Sequence, residues 1–258
     1  MGMGKIVSVH SFRGGTGKSN ISANVAAQFA SQGKRVGVVD TDIQSPGIHV
    51  LFGMDDTTIK MALNDYLWGR CAVEEAAYDV TTIVQGKGKP LSGVLYLIPS
   101  SLRSGEISKV LKEGYDVARM TDGLDALVEK LDLDYLIIDT HPGVNEETLL
   151  SLAISDSLAI VLRPDQQDFQ GTAVTVDLAR RLKVPNLFLV INMALSSYSF
   201  DALRELIEGT YNCPVATILP LSEDVARAQS SDIFSLRNPV HPFTRAIKEI
   251  AAFIEAAE

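Results

Sequence analysis

Lys18 and Ser19 stand directly behind three closely spaced glycines, Gly14, Gly15 and Gly17. An ammonium and a hydroxyl at the mouth of a glycine-rich turn suit polyphosphate chemistry. The lysine can reach the β- and γ-phosphate oxygens, and the serine can ligate Mg²⁺. The glycines let the backbone come close to phosphate and aim N–H groups at it. An apolar run at 6–9 enters the turn, and a helical pattern follows Ser19. The positive end of that helix adds to the attraction. Thr16 and Asn20 complete the candidate phosphate contact. The full P-loop pattern also asks for glycine at position 12, where this chain has Phe12. The competing reading is a plain glycine-rich strand-to-helix turn, which three glycines directly before Lys-Ser disfavour.

Acids close two further apolar runs. Residues 35–40 end in Asp40, with Asp42 two positions on, and 135–139 end in Asp139. An apolar strand that presents a carboxylate beside a P-loop is the Walker B arrangement, which faces the magnesium shell. Mg²⁺ takes one or two carboxylates plus water and phosphate, so Ser19, Asp40 and Asp139 form a plausible donor set. The alternative for Asp139 is a helix cap or a turn residue. On an extended strand Asp40 and Asp42 would share a face. One could then sit in the metal's outer shell while the other orients the attacking water. His141 follows the Walker B acid closely. It can act near the γ-phosphate or be a hydrogen-bonded structural histidine.

The elements that must position these groups alternate along the chain. Strands are expected at 5–11, 35–40, 94–99, 134–139, 157–163, 186–192 and 215–219. Most are continuously apolar, as strands buried on both faces must be. Amphipathic stretches at 20–32, 121–131, 146–154, 171–182, 200–208 and 243–257 read as helices. Alternation of this kind predicts a doubly wound, mostly parallel α/β sheet with helices on both faces. Neither repeat nor linker interrupts it, so one domain over 1–258 is expected. Residues 54–91 are less regular, and Gly86-Lys87-Gly88-Lys89-Pro90 reads as a mobile surface turn or a phosphate clamp.

Bulk properties narrow the setting. The formal net charge is −9, which disfavours broad nucleic-acid affinity. Arg180, Arg181 and Lys183 form the densest basic patch, and a solvated helix end is the simpler reading of it. Only two cysteines are present, Cys71 and Cys213, far apart, which suits a reduced cytoplasmic protein and no zinc site. A signal peptide is not expected, and no apolar run approaches the ~20 residues of a membrane span. The closing stretch places Ile247, Ile250, Phe253 and Ile254 on one helical face, with only Lys248 as a basic partner after 245. It reads as a helix that packs on the core rather than on anionic lipid.

Taken in order, Arg13-Gly-Gly-Thr-Gly-Lys-Ser19, Asp40-Thr-Asp42-Ile-Gln-Ser-Pro46, Asp139-Thr-His-Pro-Gly143, Phe169-Gln-Gly171 and Val190-Ile-Asn192 resemble the ParA/MinD family of deviant Walker A ATPases. The resemblance spans nearly the whole chain. It implies ATP/ADP and Mg²⁺ as cofactors, a homodimer that sandwiches two ATP molecules, and slow hydrolysis that switches binding of a protein partner, cargo or surface. It implies that Asp42 orients water, that Asn192 reads the adenine edge and that Pro220 lines the base. The family's signature lysine, which crosses the dimer interface to the partner's phosphate, is Arg13 here. Arginine keeps the charge and adds a planar fork. It can serve in trans or pair with a local acid. Iron-protein relatives hold a cluster on paired cysteines, and Cys71 and Cys213 match no such motif. Two other readings stay open: an ATP-binding scaffold with negligible turnover, and a ligase on the same fold.

Lys18→Ala is expected to abolish tight binding of a fluorescent ATP analogue. Asp139→Ala should keep much of the affinity while its dependence on Mg²⁺ weakens. Unchanged affinity in Lys18→Ala would remove the phosphate-site assignment.

Overall fold

The computed structural model describes residues 4–85 and 90–257. Eight strands form one sheet in the order β3-β4-β2-β5-β1-β6-β7-β8. They are β1 (Lys5–His10), β2 (Arg35–Asp40), β3 (Tyr78–Asp79), β4 (Val94–Ile98), β5 (Tyr135–Asp139), β6 (Ser157–Leu162), β7 (Asn186–Ala194) and β8 (Val215–Pro220). Every pairing is parallel except the short β3 edge against β4. The seven expected strands are all present. The two-residue β3 was not expected, because its pairing is set by β4 and not by any apolar run of its own.

Burial on both faces explains the continuous apolar runs. In β1, Val7 and Val9 join the layer under α1 (Lys18–Ser31) and α11 (Pro242–Ala256), while Ile6 joins the opposite layer under α5 (Val117–Lys130). In β6, Ala159 and Val161 face the first layer. Leu158, Ile160 and Leu162 face α7 (Gln166–Arg181) and α8 (Phe200–Tyr211). The period of two is therefore intact but hidden, since each face meets helices.

Helix boundaries follow from capping that periodicity does not reveal. Asp165 accepts N–H bonds from Gln167 and Asp168, which starts α7 five residues before the expected 171. Asp116 does the same for α5. The expected helix at 146–154 is α6 (Glu146–Ala153), capped by Asn145. Five shorter or weakly buried helices were not expected: α2 (Leu63–Leu67), α3 (Thr81–Gln85), α4 (Ser104–Glu113), α9 (Glu223–Arg227) and α10 (Phe234–Arg237). In α4 only Val110 is buried, so there is little apolar stripe to read.

Two sequence expectations about surfaces resolve here. The closing helix α11 buries Phe243, Ile247, Ile250 and Ile254, and Phe253 packs its ring 4.9 Å from that of Phe188. Arg180 donates to the carbonyls of Tyr211 and Asn212, and Arg181 pairs with Asp177, so that basic cluster is spent at a helix end. Among the described residues no helix is long and apolar enough to cross a membrane. Gly86 to Lys89 of the expected turn lie outside the described residues.

Phe29 of α1 is fully buried and stacks on Tyr135 of β5, with ring centroids 4.0 Å apart and planes 6° from parallel. Phe29→Ala should cost about 3–5 kcal/mol of unfolding free energy, because nothing nearby can fill the gap. Urea denaturation measures this, and a loss under about 1 kcal/mol would contradict it.

Candidate functional site

The strand order brings the chemistry together. β2, β5 and β1 are neighbours, and their carboxyl ends carry Asp40, Asp139 and the glycine-rich turn. Asp139 is in register with both Val9 and Asp40. Ligands of open parallel sheets collect at such ends.

In the turn, Gly15 and Gly17 take left-handed φ of +77° and +89°, which a Cβ would strain. A side chain at Gly15 would meet nothing within 4 Å, so the backbone there faces open space. α1 begins at Lys18 with no side-chain cap, which leaves its first-turn N–H groups for an anion. Lys18 is 7% exposed and forms no ion pair among the described residues. The Thr16 hydroxyl is buried without a partner. Unpaired donors around an open cradle fit a polyphosphate.

Asp139 meets this cradle directly. Its carboxylate accepts the Ser19 hydroxyl at 2.6 Å and the Ser22 hydroxyl at 3.0 Å. Burial raises its pKa to about 6, against the lowering pull of Ser19 and Lys18. A divalent ion beside Ser19 would supply the positive charge that such a buried carboxylate favours. Among the described residues no group of three His, Cys, Asp or Glu side chains could hold a metal alone.

Asp40 ends β2 in register with Asp139. It is 1% exposed, and its two oxygens accept the backbone N–H groups of Asp42 and Gly47 at 3.0 and 3.3 Å. It braces the loop that follows β2. Burial, then Asp139 and Asp42, push its pKa well above the ordinary range. The shared face expected for Asp40 and Asp42 does not form, because the strand stops at Asp40 and the chain turns. Asp42 instead lies in the loop and accepts Ser45 and His141.

Asn192 borders the glycine turn. Its amide donates to the Thr16 carbonyl at 2.7 Å, and its own carbonyl accepts Met193 N–H at 2.9 Å. It holds the glycine turn in place through one Nδ2 proton and keeps the second. It does line a cavity of about 190 Å³ with Gly17, Asn20, Pro220, Gln229 and Ser230. Asn20 donates to Ser230 at 3.2 Å. Met193, Gln229 and Ser230 all line this cavity with positive φ, an uncommon concentration of non-glycine strain. No sequence signal marked Gln229 or Ser230.

Arg13 pairs locally in this conformation. Its Nη1 lies 3.5 Å from Asp168 and 3.8 Å from Asp165, and Arg163 engages the same two acids. Phe12 explains itself by packing: a Cβ on Gly171 would fall 2.1 Å from its ring. That close approach of the glycine turn to α7 is the physical content of the Phe169-Gln-Gly171 sequence. His10, absent from the expected site, ends β1 with Nδ1 2.7 Å from Thr140 Oγ1. Burial, then Lys18 and His141, lower its pKa to about 3, so it is neutral at physiological pH.

Residues 2–255 match the model of the family ParA, described as NUBPL iron-transfer P-loop NTPase. The chain belongs to that family. An ATP-binding protein of Methanocaldococcus jannaschii is 27% identical over 253 residues, 98% of this chain and 88% of its own length. An iron-sulfur cluster carrier protein of the same organism is 30% identical over 193 residues, 74% of this chain and 60% of its own length. Among solved structures, the cell-division ATPase MinD of Pyrococcus furiosus superposes with TM-score 0.83 at 20% identity, covering 99% of this chain and 100% of that one. MinD of Pyrococcus horikoshii, complexed with Mg-ADP, gives 0.80 at 18% identity, covering 98% and 97%. These likenesses establish the fold of this ParA-family P-loop NTPase.

Gly17→Ala combines a strained φ with a Cβ placed 2.4 Å from Asn192 Nδ2. It is expected to lower nucleotide affinity at least tenfold, with strain of order 1–3 kcal/mol. Adding Asn192→Ala should relieve only the steric part. Equilibrium ATP titration and thermal melting of both variants check this.

Proposed function

We propose that this chain is a Mg²⁺-dependent ATPase of the ParA/MinD type, whose nucleotide state switches homodimerisation and the binding of a protein partner or cargo. The single observation that carries the reading is the meeting of Ser19 and Asp139 at 2.6 Å beside an unpaired Lys18. In this reading Gly14, Gly15, Thr16, Gly17, Lys18, Ser19 and Asn20 hold the phosphates, with Lys18 facing the β- and γ-oxygens. Ser19 and Asp139 hold Mg²⁺. Asp40 supports them by fixing the loop that carries Asp42. Asp42 orients the water that attacks the γ-phosphate. The base occupies the cavity beside Asn192 and Pro220, and Asn192 contributes mainly by bracing Thr16. ATP with Mg²⁺ supplies the scissile anhydride and its charge neutralisation, and the chain supplies position and field.

Arg13 is proposed to serve the partner's phosphate in the dimer. It must then leave the partly exposed Asp165 and the buried Asp168, and Asp168 keeps Arg163, through its backbone N–H and its guanidinium, as a partner. The scaffold reading, with ATP held and little hydrolysed, would keep Arg13 in that local pair.

Iron transfer is not carried over from the family description. The thiols of Cys71 and Cys213 are both pushed up by burial, Cys213 to about 11. Cluster ligands are thiolates, favoured by the opposite environment. Cys213 is moreover buried and directed at the Leu187 carbonyl.

Arg13→Ala and Lys18→Ala are each expected to be inactive, and their mixture should regain hydrolysis. In the mixed dimer, the intact glycine turn of one protomer meets the intact Arg13 of the other. Arg13→Lys should keep substantial activity. Phosphate release and light scattering with and without ATP are the measurements. Mixed dimers without complementation would refute action in trans.

A further inference from the structure

Asp42 carries its hydrogen bonds on one oxygen. Oδ1 accepts Ser45 N–H at 3.0 Å, the Ser45 hydroxyl at 2.9 Å and His141 Nδ1 at 2.7 Å. Oδ2 accepts no bond among the described residues. A carboxylate held this way cannot rotate freely, and it offers one oxygen in one direction. The Asp42 and His141 side chains are 16% and 22% exposed, so the contact is largely shielded from water.

His141 is itself anchored on both sides. It follows β5 by two residues, and its carbonyl accepts the hydroxyl of the buried Thr148 in α6 at 3.4 Å. Two residues on, Gly143 N–H bonds to Ser11 O at the start of the glycine turn, at 3.1 Å. The imidazole thus links the segment after β5 to the loop after β2. Because Oδ1 is an acceptor, Nδ1 carries the proton, and Nε2 has no bond partner among the described residues.

We propose that His141 is a positioning residue: its Nδ1–H, with Ser45, immobilises Asp42 so that Oδ2 is aimed at the attacking water. This rests on the reading of Asp42 as the water-orienting carboxylate. Displacing such a group by about 1 Å can cost on the order of 100-fold in rate. The role belongs to Nδ1 and needs no proton transfer at Nε2.

Histidine-ring nitrogen NMR of the nucleotide-free protein should show His141 protonated at Nδ1, with that signal altered in Asp42→Ala. In single-turnover hydrolysis, His141→Ala should slow the rate roughly 10–100-fold with ATP Kd unchanged. His141→Asn places an amide N–H near the Nδ1 position and should recover most of the rate. Ser45→Ala should fall between, and Asp42→Ala/His141→Ala should be no slower than Asp42→Ala. The proposal is overturned if His141→Ala turns over at the wild-type rate while Asp42→Ala does not. It is equally overturned if His141→Asn is folded and as slow as His141→Ala, which would put the action at Nε2. Should His141→Ala fail to fold, His141→Asn and Ser45→Ala decide. Wild-type turnover in Asp42→Ala would instead sink the reading of Asp42, a result distinct from failure at His141.

Discussion

The contact between Ser19 and Asp139 is the junction on which the site depends. It joins the first turn of α1 to the end of β5, and 120 residues of sequence separate its partners. It can form only because β1 and β5 are neighbours in register, which sets Asp139 beside Val9. A carboxylate in that buried place is costly unless hydroxyls and a cation compensate it. Ser19, Ser22 and the nearby Lys18 supply that compensation. The pairing of β1 with β5 and the chemistry of the site are therefore one constraint.

Outward from that junction, polar bonds tie the loops together, while Ile43 anchors the loop after β2 in the core. Asp40 gathers the N–H groups of Asp42 and Gly47, and the Ser100 hydroxyl holds the Asp40 carbonyl from β4's side. His141 reaches Asp42, and Gly143 reaches Ser11. Polar ties of this kind are individually worth about 1 kcal/mol, so they can exchange when charge arrives at the cradle. The β-sheet beneath, filled by residues such as Val7, Ile137 and Phe188, has no comparable freedom.

Arg13 and Phe12 show how departures from a motif are absorbed. Phe12 occupies a motif glycine's place by lying against Gly171, which has no side chain to displace. Arg13 then emerges beside Asp165 and Asp168, acids that also cap and line α7. The cap that starts α7 and the anion that receives Arg13 are thus the same Asp165. Both roles are filled at once in this conformation.

The sequence by itself determined the parallel sheet, seven of its strands, and the glycine-rich turn from Gly14 to Ser19 that marks the P-loop family. These rest on local signals: apolar runs, glycine spacing and the residue types that phosphate and Mg²⁺ require. Tertiary structure alone decided which partners each polar group meets. Asp40 and Asn192 look alike as available letters, yet Asp40 receives two backbone N–H groups of the following loop, and Asn192 spans Thr16 and Met193. His141 gained its place through a contact 99 residues away in sequence, and the strained Gln229 and Ser230 through a turn that no residue type announces. Hydrogen-bond capacity is local chemistry, but its use is settled by neighbours that only the folded chain brings within 3 Å.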